Sequence, residues 1–375
     1  MKNARLIIAD SEHNADMLYA SALFVPDAFI AIELNGQWHG LFSPLEVDRA
    51  AKASRLTAAH LDTPWRKAAE LQGWHGLAGC AAAFLTSHHI QTITVPPSFP
   101  LHYADQLRSW GFDLHASIDA FFPQRAIKTA LEIKQLSLAE KLTRQSMQQG
   151  EHYLARCSIG NDAILRDPDS GKKVKSDDVR RAIETFLIGK GAMPAHTIVA
   201  CGRESSDPHN TGHGYIRANA LIIIDIFPRL LSSGYWGDMT RTYVKGKATD
   251  EQKKIYNCVR EGQDIGLSMI TAGVDSASIH TAISKHFDAQ GFKTGTVRGK
   301  QCGFFHGTGH GVGLDIHESP RVSTRGDTLQ SGQVVTCEPG LYYPHIGGVR
   351  LEDMVVVRDN GCDNLTRYKR HLEIA

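Results

Sequence analysis

The sequence predicts an α+β protein of two domains, a small N-terminal α/β domain over residues 1–122 and a larger α+β domain over residues 123–375. Three observations carry this expectation. At 375 residues the chain exceeds what one core usually serves. Its first third alternates short β-rich and helix-like runs, whereas helices and then Gly-punctuated β-rich segments are grouped in the remainder. Phe121-Phe122-Pro123-Gln124 marks the break between the two.

In the first domain Leu6-Ile7-Ile8-Ala9, Phe29-Ile30-Ala31-Ile32 and Thr92-Ile93-Thr94-Val95 read as strands, the last closed by Pro96-Pro97. Pro44 to Ser54 and Pro64 to Leu71 read as helices entered through proline. His88-His89 lies beside a strand with no acidic partner nearby and reads as a surface pair. Past the break, Ile127, Leu131, Leu138 and Leu142 recur at helical steps and predict an amphipathic helix with those residues inward. Further helices are expected near 176–189 and 249–271, the second opened by the cap signature Thr249-Asp250-Glu251-Gln252. β-rich segments follow at Thr197–Ala200, Leu221–Phe227, Tyr235–Val244, Val334–Glu338 and Val349–Val357.

Charge and cysteine usage narrow the class. Hydrophobic residues make up 42%, and 41 Lys+Arg balance 40 Asp+Glu to a net +1. That excludes a disordered chain and argues against nucleic acid or an anionic membrane as main partner. Cys80, Cys157, Cys201, Cys258, Cys302, Cys337 and Cys362 are scattered, odd in number and never paired as C-x-x-C, which points to the cytoplasm. The opening run Met1–Asp10 is too short in apolar residues for a signal peptide, and the strongest apolar run, Ala220–Ile224, is broken by Asp225.

Four stretches hold the candidate chemistry: Ile223-Ile224-Asp225-Ile226; Gly237-Asp238-Met239-Thr240-Arg241-Thr242; His306-Gly307-Thr308-Gly309-His310-Gly311-Val312-Gly313 with His317-Glu318; and Cys337-Glu338-Pro339-Gly340 with Val349-Arg350-Leu351-Glu352-Asp353. Singly they are weak. Asp225 after three isoleucines fits an edge position or a salt bridge as well as a ligand. The glycine-rich piece lacks the Gly-Lys-Ser/Thr ending of a phosphate loop. Together they place four carboxylates (Asp225, Asp238, Glu338, Glu352) and one imidazole (His310) on Gly-flanked, strand-like segments. Four carboxylates carry −4, which two divalent cations would balance. His317 is not needed for that balance and is free for proton or oxyanion work. Cys337, next to Glu338 on a strand, points the other way by alternation and reads as core.

The order D…D-x-T-R-T…G-H-G-x-G…H-E…E-P-G…R-x-E-D resembles the pita-bread metallopeptidases: prolidases, Xaa-Pro aminopeptidases and methionine aminopeptidases, with creatinase as a metal-free relative. The resemblance implies a creatinase-type N-terminal α/β domain followed by a pita-bread catalytic domain. It makes Asp225, Asp238, His310, Glu338 and Glu352 the metal ligands, Asp238 and Glu352 the bridging pair, and Thr240 a hydroxyl behind a ligand carboxylate. Asp225 and Asp238 lie 13 apart (238 − 225 = 13), a longer gap than the family's. The surplus falls at Arg229 to Ser233, and an even insertion keeps both side chains on one face. His306 and His209 resemble histidines of the proline-specific members; His213 competes with His209 for that place, or is a surface loop residue.

The same resemblance implies a peptidase that cleaves Xaa-Pro bonds, with Mn²⁺ as metal and Co²⁺ or Zn²⁺ as substitutes. In it Glu338 shuttles a proton, His317 stabilises the oxyanion, and His209 and His306 steady the substrate. Arg350 either meets the carboxylate of a dipeptide or orients a ligand carboxylate, and the role of Glu318 is open. The substrate is a peptide with proline second, and a homodimer is implied. A dipeptidase is the first expectation and an aminopeptidase on longer peptides the second. A metal-dependent hydrolase of another C–N bond and a non-catalytic binding module remain as further classes.

Overall fold

The structure, a computed structural model, describes residues 3–297 and 299–375; Met1 and Lys2 of the opening run lie outside the described residues. The chain divides into two compact units, Met1–Arg125 and Ala126–Ala375.

The first unit is a six-stranded mixed sheet. In chain order its elements are β1 (Asn3–Ala9), α1 (Ala15–Ser21), β2 (Phe29–Leu34), β3 (Gln37–Phe42), α2 (Val47–Ala53), β4 (Ala58–Leu61), α3 (Thr63–Glu70), α4 (Gly76–Ser87), β5 (Thr92–Val95), α5 (Leu101–Ser109) and β6 (Asp113–Ala116). The strand order is β4-β3-β2-β1-β5-β6, with β1 parallel to β5 and antiparallel to β2. Ala78 to Leu85 of α4 pack with Leu6, Ile8 and Ile93 on one face, while Ile7, Phe29 and Phe42 pack on the other. Pro64 enters α3 as expected; Pro44 lies in a turn, and α2 begins only at Val47. His88 and His89 end α4 and are exposed.

The second unit opens with α6 (Ala130–Arg156), whose cap Thr129 and Glu132 form a reciprocal hydrogen-bonded box. Next come β7 (Ser158–Ile159), β8 (Leu165–Arg166), α7 (Ser176–Gly189), β9 (Ala192–Met193), β10 (Ile198–Cys201), β11 (Leu221–Ile226), β12 (Arg229–Leu230), β13 (Met239–Lys245), α8 (Asp250–Met269) and α9 (Ser276–Ala289). The remaining strands are β14 (Gly295–Val297), β15 (Lys300–Cys302), β16 (Gly309–Gly311), β17 (Glu318–Val322), β18 (Val334–Cys337), β19 (Gly340–Tyr343), β20 (Gly347–Arg350), β21 (Asp353–Arg358), β22 (Gly361–Asn364) and β23 (Glu373–Ile374). A four-stranded sheet β10-β11-β13-β23 packs with α6 and α7, and a five-stranded sheet β17-β16-β18-β21-β22 packs with α8 and α9. Among the described residues no helix is long and apolar enough to cross a membrane.

Two expectations are corrected here. Leu131 and Leu138 of the predicted α6 stripe are 67% and 44% exposed, and Ile127, before the helix, 38%. The buried face instead carries Leu136, Ala139, Glu140, Thr143, Met147, Gly150 and Leu154. Close approach selects those small residues: a Cβ on Gly150 would sit 2.9 Å from Ile183 Cδ1. The Val349–Val357 run is not one strand. It breaks at Leu351-Glu352 between β20 and β21, just as β13 starts after Asp238 and β18 stops before Glu338. Only Asp225 and His310 of the five expected ligands lie within strands; the other three are released from the ladders at strand ends.

Candidate metal centre

Register brings the acidic residues together. Asp225 of β11 pairs with Thr240 of β13, so Asp238, two positions earlier, shares its face. The longer hairpin tip therefore leaves both aspartates on one side. Cys337 pairs with Asp353 between β18 and β21, and one step further along that register Glu338 faces Glu352. His310 enters from β16, where the flanking glycines are required by crowding. A Cβ on Gly309 would meet Thr336 O at 2.0 Å, and one on Gly311 would meet Ser319 O at 2.3 Å.

Donor atoms of Asp238, His310 and Glu352 all lie within 4.8 Å of one another. His310 Nε2 is 3.4 Å from Glu338 Oε1 and 3.6 Å from Asp238 Oδ2. Its Nδ1 lies 3.1 Å from the Gly311 carbonyl, which assigns the proton to Nδ1 and leaves Nε2 as a lone-pair donor aimed into the cluster. The Thr240 hydroxyl donates to Glu352 Oε2 at 2.7 Å. Asp225 Oδ2 accepts from Arg350 Nη2 at 2.7 Å, whereas its Oδ1 is buried with no partner among the described residues. Cys337 is fully buried and packs into the apolar core beside α8.

The electrostatics are those of too much negative charge in one dry place. Burial first, then Glu352 and Asp225, drives the Asp238 carboxyl well above its usual range. Burial, with Glu338 and Asp225, does the same to Glu352, and burial lifts Glu338 to about 7. Burial pushes the His310 and His317 imidazoles down. One lone-pair nitrogen, one orphaned carboxylate oxygen and three carboxylates held against ionisation form a donor set that fits divalent cations.

A cavity of about 830 Å³ opens over this cluster. His209, His306 and His317 line it, and His213 does not. His317 sits with its ring 4.3 Å from that of His310. His306 is held neutral, burial lowering it to about 3, with Nδ1 on the Gly307 carbonyl at 2.7 Å and Nε2 at 3.0 Å from the Tyr342 hydroxyl. Arg350 is 4% exposed and all three of its nitrogens are engaged: besides Asp225 it donates to the Tyr342 hydroxyl, Thr240 Oγ1 and the Pro208 carbonyl. The ion pair with Asp225 is the contact expected of a residue that orients a carboxylate. Glu318 pairs with buried Lys128 at 2.5 Å.

Sequence reasoning missed three neighbours. Tyr342, 0% exposed, links Arg350 to His306 but reads as a core strand residue, and no spacing signals it. Arg321 lines the cavity from β17 with an exposed side chain. Glu140 falls at helical spacing from Leu136, Thr143 and Met147 on the buried face, a signal that the leucine stripe masked.

Residues 135–359 match metallopeptidase family M24. The chain belongs to that family and is a metallopeptidase. The Xaa-Pro dipeptidase of Pyrococcus horikoshii is 31% identical over 292 residues, 76% of this chain and 75% of that one. The Xaa-Pro dipeptidase of Pyrococcus furiosus is 34% identical over 223 residues, 58% of this chain and 61% of that one. The structure of the Pyrococcus horikoshii prolidase superposes with a TM-score of 0.79 at 25% identity, covering 99% of this chain and 95% of that one. The fold is thus the mixed α/β pita-bread fold of the prolidases, as the motifs implied.

Without metal, the cluster makes stability depend on pH with a definite sign. Asp238, Glu338 and Glu352 bind protons more tightly folded than unfolded, as does buried Glu140, pushed up to about 8. The folded state then holds more protons than the unfolded one above about pH 4.3, so stability falls as pH rises through the folded values. Buried His306, His310 and His317, held low, oppose this only below about pH 6.5, where a free imidazole charges. The chelated protein should therefore lose melting temperature between pH 7 and pH 8 in calorimetry, and added Mn²⁺ should remove the slope. A flat profile for the metal-free protein would contradict the charge assignment.

Proposed function

We propose that the protein is a dimetal Xaa-Pro dipeptidase, with Ala126–Ala375 as its catalytic domain and Met1–Arg125 as its creatinase-type N-terminal domain. The observation that carries this reading is the convergence of Asp238, His310 and Glu352, with Glu338 3.4 Å from His310 and Asp225 lining the same cavity. Asp225, Asp238, His310, Glu338 and Glu352 would hold two divalent ions, Asp238 and Glu352 being shared. Bound there, the ions would supply the charge that four buried carboxylates need and polarise the scissile carbonyl. The oxygen-rich donors favour Mn²⁺ over thiolate-seeking ions, with Co²⁺ or Zn²⁺ as substitutes.

The chain's own residues do the rest. Glu338 accepts the proton of the attacking water and returns it to the proline nitrogen as the C–N bond breaks. His317 donates to the developing oxyanion, and His306 and His209 hold the substrate from the cavity wall. Ile198, Phe227 and Phe305 give that wall an apolar stretch suited to a proline ring. A free C-terminal carboxylate needs a cation. With Arg350 committed to Asp225, exposed Arg321 is, among the described residues, the arginine of the cavity left to meet it.

Metal analysis and a peptide panel test this together. Two divalent ions per chain are expected. Amidating an Xaa-Pro dipeptide should cost at least about 10-fold in kcat/KM, equivalent to about 1.4 kcal/mol, and Arg321→Leu should erase that difference. Equal or faster cleavage of the amide and of Xaa-Pro-Yaa tripeptides would move the assignment to Xaa-Pro aminopeptidase. A homodimer and a cytoplasmic location belong to the same reading. All seven cysteines are free, in keeping with a reducing compartment, and light scattering checks the mass.

A further inference from the structure

Behind the ligand cluster, on the buried face of α6, sits a carboxylate that the proposed reaction does not use. Glu140 is 0% exposed. Its Oε2 accepts the main-chain N–H of Asp238 at 3.0 Å, and its Oε1 accepts the Thr366 hydroxyl at 2.7 Å. Thr366 Oγ1 in turn accepts the main-chain N–H of Met354 at 2.8 Å, two residues beyond Glu352. One side chain thus ties the backbone that carries Asp238 to the backbone that carries Glu352.

The packing around it is built to the same end. A Cβ on Gly237 would lie 2.3 Å from Thr143 Oγ1 and 2.8 Å from the Ala139 carbonyl carbon, so only glycine lets the turn before Asp238 rest on α6. Asp238 itself lies outside the β11–β13 ladder, so Glu140 supplies the acceptor its N–H would otherwise lack. From the other side, Arg241 donates to the Glu352 carbonyl at 2.7 Å and pairs with Asp353 at 2.7 Å, fixing the segment that Thr366 also holds.

We propose that Glu140 is a positioning residue that sets the separation of Asp238 and Glu352, and so the spacing of the two metal ions that they share. This rests on the reading of Asp238 and Glu352 as metal ligands. A helix is a good place for such a brace, because its backbone bonds are satisfied internally and it does not shift with the sheet edges.

The test is Mn²⁺ titration calorimetry on the full chain, wild type against Glu140→Ala, Glu140→Gln and Thr366→Val, with circular dichroism and metal-free melting as controls. Loss of a group that orients a ligand typically costs 10–100-fold in metal affinity, and a loss of about that size is expected for Glu140→Ala. Glu140→Gln keeps an oxygen for the Asp238 N–H and should stay within about threefold of wild type, since its amide can also meet Thr366. Thr366→Val, which cuts one arm only, should fall between. A purely structural role would instead lower the melting temperature and leave the Kd of the folded protein unchanged. Wild-type affinity in Glu140→Ala, with two ions bound, would overturn the proposal and leave the peptidase reading intact. No binding by the wild type would overturn both. If Glu140→Ala does not fold, Thr366→Val decides, and unchanged affinity there rejects the brace.

Discussion

Glu338→Gln is expected to lower kcat on an Xaa-Pro dipeptide by about 10²–10⁴-fold, the usual range for a lost general base. The same substitution is expected to raise the melting temperature of the metal-free protein. The first effect comes from losing the group that takes the proton, and the second from the metal-free site, where burial beside other carboxylates lifts Glu338 to about 7. Glutamine keeps its shape and one donor oxygen but accepts no proton. It also removes a charge that pushes on Asp238 and Glu352. Steady-state kinetics with Mn²⁺ and calorimetry after chelation read the two effects independently. A kcat within a few-fold of wild type would take the proton transfer away from Glu338.

Arg350→Met should destabilise the metal-free protein by about 3–5 kcal/mol, the cost of stranding one partner of a buried ion pair. Asp225 keeps one oxygen on Arg350 and has no partner among the described residues on the other, so its compensation goes with the guanidinium. The double variant Arg350→Met with Asp225→Asn should recover much of the loss, because the stranded charge disappears. Urea unfolding of the chelated proteins measures this. Mn²⁺ should shrink the loss in the single variant, since metal charge can stand in for the arginine. A loss below about 1 kcal/mol, the level of a surface pair, would mean that Asp225 does not depend on Arg350.

The site was legible where its chemistry leaves a pattern in the chain. Asp225 interrupts an isoleucine run, and the glycines around His310 mark a crowded strand. Period-two alternation across the β11–β13 hairpin kept Asp225 and Asp238 on one face through the extra residues. The interior support was less legible, for physical reasons. The α6 stripe was read from leucines, whereas tight packing filled the buried face with alanine, glycine, threonine and one glutamate, and left Leu131 and Leu138 outside. The partners of Arg350 lie on β11, on β13, on β19 and in the loop at Pro208, separations that no local pattern encodes. Likewise the break at Leu351-Glu352 is set by tertiary bonds from Thr240 and Arg241 rather than by local propensity.

Carboxylates pressed together beneath a cavity make the metal-free chain the weaker form of its own fold. Each 1.4 kcal/mol lost in this way raises the opened fraction about tenfold, and proteases cut the opened form. On the dimetal reading, copies that fail to acquire metal would be the ones cleared first, while loaded copies persist. Metal supply would then govern how long a molecule survives as well as how fast it works, and the pool at any moment would be enriched in enzyme ready to turn over.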